Sequence, residues 1–304
     1  MLGHSPSRDF ETSRRTKELS MEMILDPILR GISVGVLYAL VSSGFALILG
    51  VMKIINLVQG EFLMLGGYIT FYLALFFDVN PILSLPIVFV LIFLFGILTE
   101  QVIDPVASKE SAGVLLTFGL AAFIRNLALI GFTANFRIIP YLVDPFTILG
   151  VSLPQYTILN FAIATFSMAT LFIFLKTTSW GKAIRAISQN VNLAQVCGIE
   201  ARKIRLLSYG LGAALSGIGG TLLIISRNVN PQMGPGYLGI MFAVVILGGL
   251  GDIVGACVGG IIIGLITAFG EFFFSSTVAL AIVYLLVPLM LLVRPRGLFN
   301  RGEL

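Results

Sequence analysis

The sequence predicts an all-α integral membrane protein: a polytopic bundle of eight or nine transmembrane helices, some broken at glycines, with one helical segment on the cytoplasmic side. Three observations predict it. Of 304 residues, 57% are hydrophobic and only 11% charged, and the mean hydropathy is +1.01. A soluble domain carries about 25% charged residues, so this chain cannot cover a water-facing surface. Uncharged runs long enough to cross the hydrocarbon, roughly 20 residues each, recur along the chain. The basic residues gather in few places, chiefly residues 176–205 and a C-terminal tail holding Arg294, Arg296 and Arg301. That clustering carries topology. It is not a nucleic-acid footprint, although the net charge is +4.

The first 20 residues are charged and lack an apolar core, so they are not a signal peptide. Residues 1–23 are expected to be a polar, disordered N-terminal tail, with Met21 and Met23 as alternative starts, and residues 24–304 a single transmembrane domain. Span one covers about 31–52, bounded by Arg30 and Lys53, with small residues suited to close helix contact. Residues 53–68, KIINLVQGEFLMLGGY, put Lys53, Asn56, Gln59 and Glu61 beside apolar neighbours, and a second span follows to about Phe77. Span three ends near Thr99, and residues 100–111 form a polar loop. Span four, about 112–132, contains Arg125 and Asn126. Residues 133–154, broken by three prolines, read as irregular. Span five covers 155–175 and span six 206–226, the latter with the run GLGAALSGIGG. Span seven, 237–249, leads into LGGLGDIVGACVGG (247–260). Span eight reaches about Gly270, Glu271 interrupts, and span nine covers 272–293.

Residues 176–205 are the polar island. Lys176, Lys182, Arg185, Arg202, Lys203 and Arg205 stand against the single acid Glu200, between uncharged runs of 31 and 21 residues. Basic segments between spans stay on the cytoplasmic side. Trp180, Ile184, Ile187, Val191 and Ala194 recur at steps of four and three, the signature of one helix face. Lys182, Arg185 and Gln189 fall on another face, and Gly198 stands at a helix C-cap position. Such a helix either anchors the loop at the membrane surface or docks a cytoplasmic partner. With this island and Arg294 inside, parity places 100–111 inside and the N-terminus outside; a re-entrant 53–61 would give eight spans and an inside N-terminus.

An acid at mid-membrane costs roughly 2.5–3.5 kcal/mol on insertion scales. Glu61 therefore either pairs with Lys53 or caps a helix, or it lines a substrate path with Asn56, Gln59 and Gly60. Arg125 reads as snorkelling or structurally paired, and Asp252 and Glu271 as helix-end markers. The glycine breaks at 44–67 and 247–260 look alike, and paired broken helices point to a translocation site; Gly248, Gly249 and Gly251 join the pathway candidates. No nucleotide loop, nucleophile–base pair or metal constellation is present in the sequence. Neither a catalytic residue nor a cofactor or metal site is expected. Cys197 and Cys257 suggest no disulfide.

Several segments carry a resemblance: IINLVQGEFLMLGGY (54–68), NVNPQMG (228–234), ILGGLGDIVGACVGG (246–260), LLVRPRGLF (291–299) and the island run WGKAIRAISQNVNLAQVCGIEARKIRLLSY (180–209). In their order, over about residue 24 to the C-terminus, they resemble the permease subunits of branched-chain amino acid ABC transporters. The resemblance implies a multi-pass inner-membrane subunit of an ATP-driven importer, with the island and C-terminus cytoplasmic. It implies as partners a second permease, related or a second copy, two cytoplasmic ATP-binding subunits and an external solute-binding protein, with membrane lipid around them and no nucleic acid. Hydrolysis is then expected on the separate ATPase subunits. Carried over by position, residues 181–199 form a coupling helix that enters a cleft of the ATPase, through Gly181, Arg185, Ala186, Asn190, Ala194, Gly198 and Ile199. Two departures stand out. The family often has a histidine where this chain has Gln59, which hydrogen-bonds but cannot titrate; that speaks against a proton role and leaves the substrate open. The family's coupling segment often carries an acid where this chain has Gln189–Asn190. The alternatives are a permease for urea, short amides or another small polar solute, and an ion-coupled secondary transporter.

Overall fold

The structure, a computed structural model, describes residues 6–106, 110–148, 151–294 and 297–298, the side chains before residue 24 and those of residues 110 and 148 excepted. In chain order the elements are α1 (Pro6–Met52), α2 (Gln59–Phe77), α3 (Ser84–Ile103), α4 (Glu110–Phe132), β1 (Pro145–Ile148), β2 (Val151–Pro154), α5 (Gln155–Thr177), α6 (Ser179–Gln189), α7 (Val191–Val196), α8 (Ala201–Ser226), α9 (Gly234–Gly248), α10 (Ile253–Phe273) and α11 (Ser276–Val293). Among the described residues, eight helices are long and apolar enough to cross a membrane, and α9, at 15 residues, is shorter. Fifteen residues rise about 22 Å, less than the roughly 30 Å of hydrocarbon. The eight-or-nine expectation thus becomes eight full-length helices and one short one.

Helix α8 is the axis of the bundle, with 94% of its most apolar 18-residue stretch buried, against 11% for α11. The cause is its glycine run, which removes side chains where neighbouring backbones press in. Gly44 of α1 faces the Gly212 carbonyl, Gly66 of α2 faces Gly217, and Gly220 faces the Leu63 carbonyl. A Cβ at Gly220 would collide with that carbonyl. Between α3 and α8, Gly96 lies against Ala213 and Gly210 against Phe93. The α1–α10 contact follows the same rule through Gly31, Gly35, Gly260 and Gly264. Small residues at helix crossings are how backbones approach in lipid, where apolar burial alone drives little association. Large apolar side chains on α3, α4 and α11, such as Leu94, Phe123 and Leu292, stay exposed.

Contacts sort the loops into two ends. At one, here the island end, lie the close of α1 (Gly50 against Gly251), Asp104 bound to Arg205, α6 and α7, and the C-terminal Leu298, whose N–H bonds the Leu247 carbonyl at 2.9 Å. At the far end Arg30 reaches the Ser152 carbonyl, Ser33 the Thr157 carbonyl, and Arg227 meets Glu271. The membrane helices alternate between these ends, so the start of α1 lies opposite the island, as parity requires.

Three sequence readings need correction. Helix α1 begins at Pro6; between Pro6 and Pro27 it contains no proline or glycine, and Arg, Glu, Lys, Met and Leu all favour helix. Residues 1–5, His4 among them, lie outside the described residues, as do Arg296 and Arg301. The second span starts at Gln59, so the polar motif is its first turn and not a preamble. The region read as irregular holds an antiparallel hairpin pairing Pro145 with Pro154 and Ile148 with Val151; its prolines stand at the outer pair, where a missing N–H costs least. Glu271 does not interrupt a helix. Helix α10 runs through it to Phe273, and Ser275 caps α11 by accepting from the Val278 N–H.

Candidate functional site

Three groups of residues compete for a functional role, and each is built differently. The first is the helical platform at the island end. Thr178 caps α6, its hydroxyl accepting from the Gly181 N–H at 3.0 Å. Gly181 itself packs on the last turn of α5, where a Cβ would strike the Leu175 carbonyl. Asn190, in extended conformation (φ −154°, ψ 110°), separates α6 from α7 and caps α7 through its side chain, 3.1 Å from the Leu193 N–H. The single expected helix is therefore two, because that one extended residue breaks it. Past Val196 the chain closes with the Ile199 N–H on the Ala194 carbonyl and the Gly198 N–H on the Gln195 carbonyl, while Gly198 takes φ +82°. This is the double-bonded glycine stop in which a left-handed residue satisfies the last carbonyls.

The platform's apolar face behaves as its spacing requires, with one exception. Ile184, Ile187 and Ala194 are buried in the main core together with Leu175, Ala201 and Ile204. Trp180 is instead half exposed. Lys182, Arg185, Gln189 and Asn190 are exposed, Ala186 and Ile199 half-buried. Leu193 and Val196 project from α7 with 65% and 85% of their surface free. An apolar residue that exposed, at the basic end and beyond the membrane helices, is what a docking surface needs.

The second group is the buried polar seam at the start of α2. Asn56 Nδ2 donates to Gln59 Oε1 at 3.3 Å, and its Oδ1 accepts from the Val58 N–H and the Tyr209 hydroxyl. Gln59 Nε2 donates to the Gly212 carbonyl (2.9 Å) and to Ser216 Oγ (2.6 Å). Asn56 and Gln59 are buried, and this network closes on itself. Gly60 and Glu61 face α9 instead: Gly60 lies on the Gly234 carbonyl, and a Cβ at Gly234 would meet the Glu61 carboxyl. Glu61 does not pair with Lys53. Its partner is Arg125, whose Nη1 stands 4.0 Å from Oε1, while Oε2 has no hydrogen-bond partner among the described residues. Two separate readings of intramembrane charge thus become one pair, as expected where a lone charge is expensive.

Gly248, Gly249 and Gly251 do not join that seam. Gly248 packs on Gly255, Gly249 and Gly251 take positive φ (124° and 80°), and Gly251 touches Gly50. The two similar-looking glycine breaks therefore meet each other at the island end. Gly251 shares a groove of about 540 Å³ with Arg185, Lys176, Ser188 and Asp252, which caps α10 through the Val254 and Gly255 N–H groups. A residue expected in the pathway and one expected in coupling line the same groove.

The third group was largely missed from the sequence. At the far end, α1, α5, α8 and α10 enclose a cavity of about 300 Å³ containing Asp26, Arg30, Asn160, Arg227 and Glu271. Arg30 Nε binds Asp26 at 2.8 Å, and Arg227 Nη2 binds Glu271 at 3.2 Å. Glu271 reads from sequence as a helix-end marker and Arg30 as a span boundary, but nothing in the spacing says that the segments around residues 26–30, 227 and 271 converge. The available signal is that each is a charge at the same end of a span once parity is assigned.

A polytopic helical bundle with buried polar side chains, glycine-broken helices and a helical platform projecting at one end has the architecture of a membrane permease. The chain belongs to the family described as the branched-chain amino acid transport system permease component, whose family model matches residues 27–293. It is 29% identical to the high-affinity branched-chain amino acid transport system permease protein BraD of Pseudomonas aeruginosa, over 92% of this chain and 96% of that one. It is 32% identical to the probable branched-chain amino acid transport permease protein LivH of Methanocaldococcus jannaschii, covering 86% and 84%. Identity to LivH of Escherichia coli K12 is 27%, covering 92% and 96%. No solved structure matches the chain significantly.

Proposed function

We propose that this chain is the transmembrane permease subunit of an ATP-driven ABC importer that moves branched-chain or other hydrophobic amino acids, delivered by an external binding protein, into the cytoplasm. Two cytoplasmic ATP-binding subunits supply hydrolysis, and a second permease, related or identical, completes the transmembrane unit. The island end faces the cytoplasm of a cell (inner) membrane and the far end faces outward, in keeping with the positive-inside rule.

The observation that carries this reading is the α6–α7 platform. Its buried residues Ile184, Ile187 and Ala194 fix it to the bundle, and its exposed Trp180, Leu193, Val196 and Arg185 are left for a partner. In this role Gly181, Ala186 and Ala194 seat the platform, Asn190, Gly198 and Ile199 set its bends, and Arg185 with the exposed apolar residues meets the ATPase. Movement of the platform is transmitted through α5 and α8, and so to the Asn56–Gln59 seam on α8 and the Gly60–Glu61 turn against α9. Alternating access then follows from one part of the bundle rocking on another.

The test is uptake of labelled leucine by vesicles with and without the ATPase subunits. Uptake should require the ATPase and ATP; uptake that persists without them overturns the importer reading.

A further inference from the structure

We propose that the far-end cavity is a binding site for the charged head of a free α-amino acid, its carboxylate held by Arg30 and Arg227 and its ammonium by Asn160, Asp26 and Glu271. This rests on the import reading above and adds a site within the permease itself, apart from the external binding protein.

The first argument is charge balance. Two arginines and two carboxylates face one cavity, so its formal charge is zero, with both signs present as the adjacent pairs Arg30–Asp26 and Arg227–Glu271. A free amino acid has the same character. A simple anion or cation would satisfy half of these groups and repel the other half, whereas opposed charges on one ligand match both. An uncharged solute such as urea would gain little from either.

The second argument is valence. Asn160 is only 4% exposed, its Nδ2 donates to the Leu222 carbonyl at 3.1 Å, and its Oδ1 has no partner among the described residues. A buried carbonyl oxygen without a donor costs stability unless something fills it. An ammonium has three donors and no acceptor, which is what that atom lacks. On the other side, Arg30 spends Nε on both oxygens of Asp26 and reaches the Ser152 carbonyl with Nη2 at 3.5 Å, leaving Nη1 without a partner among the described residues. A guanidinium held in this way can take a carboxylate through its fork geometry.

The third argument is shape. Beside the polar groups stand Val34, Leu37, Leu223 and Phe272, a wall for an aliphatic side chain. The volume of about 300 Å³ is at the small end of ligand pockets, which run from about 300 to 1,000 Å³, and suits a ligand of single-residue size. The cavity also opens at the end opposite the platform, where a delivered substrate would first meet this chain.

The experiment is equilibrium binding of labelled L-leucine to the assembled permease–ATPase complex with no binding protein present. Saturable binding is expected, displaced by unlabelled leucine but at least tenfold less well by 4-methylpentanoate, which lacks the ammonium, or 3-methylbutylamine, which lacks the carboxylate. Asn160→Leu and Arg227→Gln should each weaken binding about tenfold while ATP hydrolysis by the complex is kept, which reports that it is folded. Equal displacement by all three compounds on the unaltered protein overturns the proposal without depending on any variant. So does absence of saturable binding, or binding unchanged in both variants. Parallel uptake with the binding protein and ATP separates the two claims. Leucine uptake without cavity binding sinks only this site; no amino-acid uptake at all sinks the import reading and this site with it.

Discussion

The α2–α8 seam and the α6–α7 platform both depend on glycine, for opposite reasons. In the seam, Gly66, Gly217 and Gly220 are helical and needed for what they lack: a Cβ at Gly66 or Gly220 meets backbone of the other helix, and one at Gly217 meets the Ile92 side chain of α3. In the platform, Gly198 has open space around it and is needed for its backbone, at φ +82°. The seam is a place where nothing can be added; the platform is a place where the chain must turn and its outer face can vary. The difference separates the part of the molecule that must stay rigid from the part proposed to dock the ATPase.

Gly220→Leu attacks the seam most directly. The Leu63 carbonyl cannot yield without moving α2, so the loss should exceed the roughly 1–3 kcal/mol of ordinary overpacking. Little monodisperse protein should survive detergent extraction and heating; an unchanged melting temperature would show that the seam is not tightly closed. Gln59→Leu removes the centre of the polar network and strands Asn56 Nδ2. The expected cost is about 1–3 kcal/mol, that of an unsatisfied buried polar group, read as a lower melting temperature. A neutral result would mean that the network adds nothing to the α2–α8 contact.

Gly198→Val moves the comparison to the platform. A non-glycine residue in left-handed conformation costs about 1–2 kcal/mol, spent locally on the end of α7. Transport should fall more than stability, seen as ATP hydrolysis no longer matched by uptake; full coupling would show that the turn carries no force. The smallest effect on the fold belongs to Val196→Asp combined with Leu193→Asp. Both residues are exposed, so the melting temperature should stay within what about 0.5 kcal/mol each allows, while ATP-dependent uptake drops at least tenfold. Normal uptake in that variant would place docking elsewhere on the chain. Charge at Ala194, by contrast, would not report on docking, because that residue is buried on the inner face of α7.

The fold was legible where hydropathy and helix length decide it, and less so where distant segments meet. The spans at 155–175 and 206–226 differ from α5 and α8 only at their ends, because charge and apolar runs bound them. The platform's buried face followed from a spacing of three and four, but its break at Asn190 did not, since a single extended residue leaves almost no trace in a periodic pattern. From sequence Gln59 and Glu61 read as lying ahead of the second span, because polar residues next to Lys53 mimic a boundary. Only the partners on α4, α8 and α9 explain why they can begin a membrane helix. The far-end cavity draws on residues 26–30, 160, 227 and 271, and no local pattern joins positions so far apart.

The hydrogen bond from Leu298 to Leu247 has a consequence for biosynthesis. It fastens the α9–α10 turn from a segment that follows α11, beside Gly297, which at φ +77° fits against Gly249. During translation that turn stays unlatched until the segment after α11 has been made, however early the preceding helices were inserted. A chain cut between Val293 and Gly297 would thus keep all the helices described here and lose this clasp.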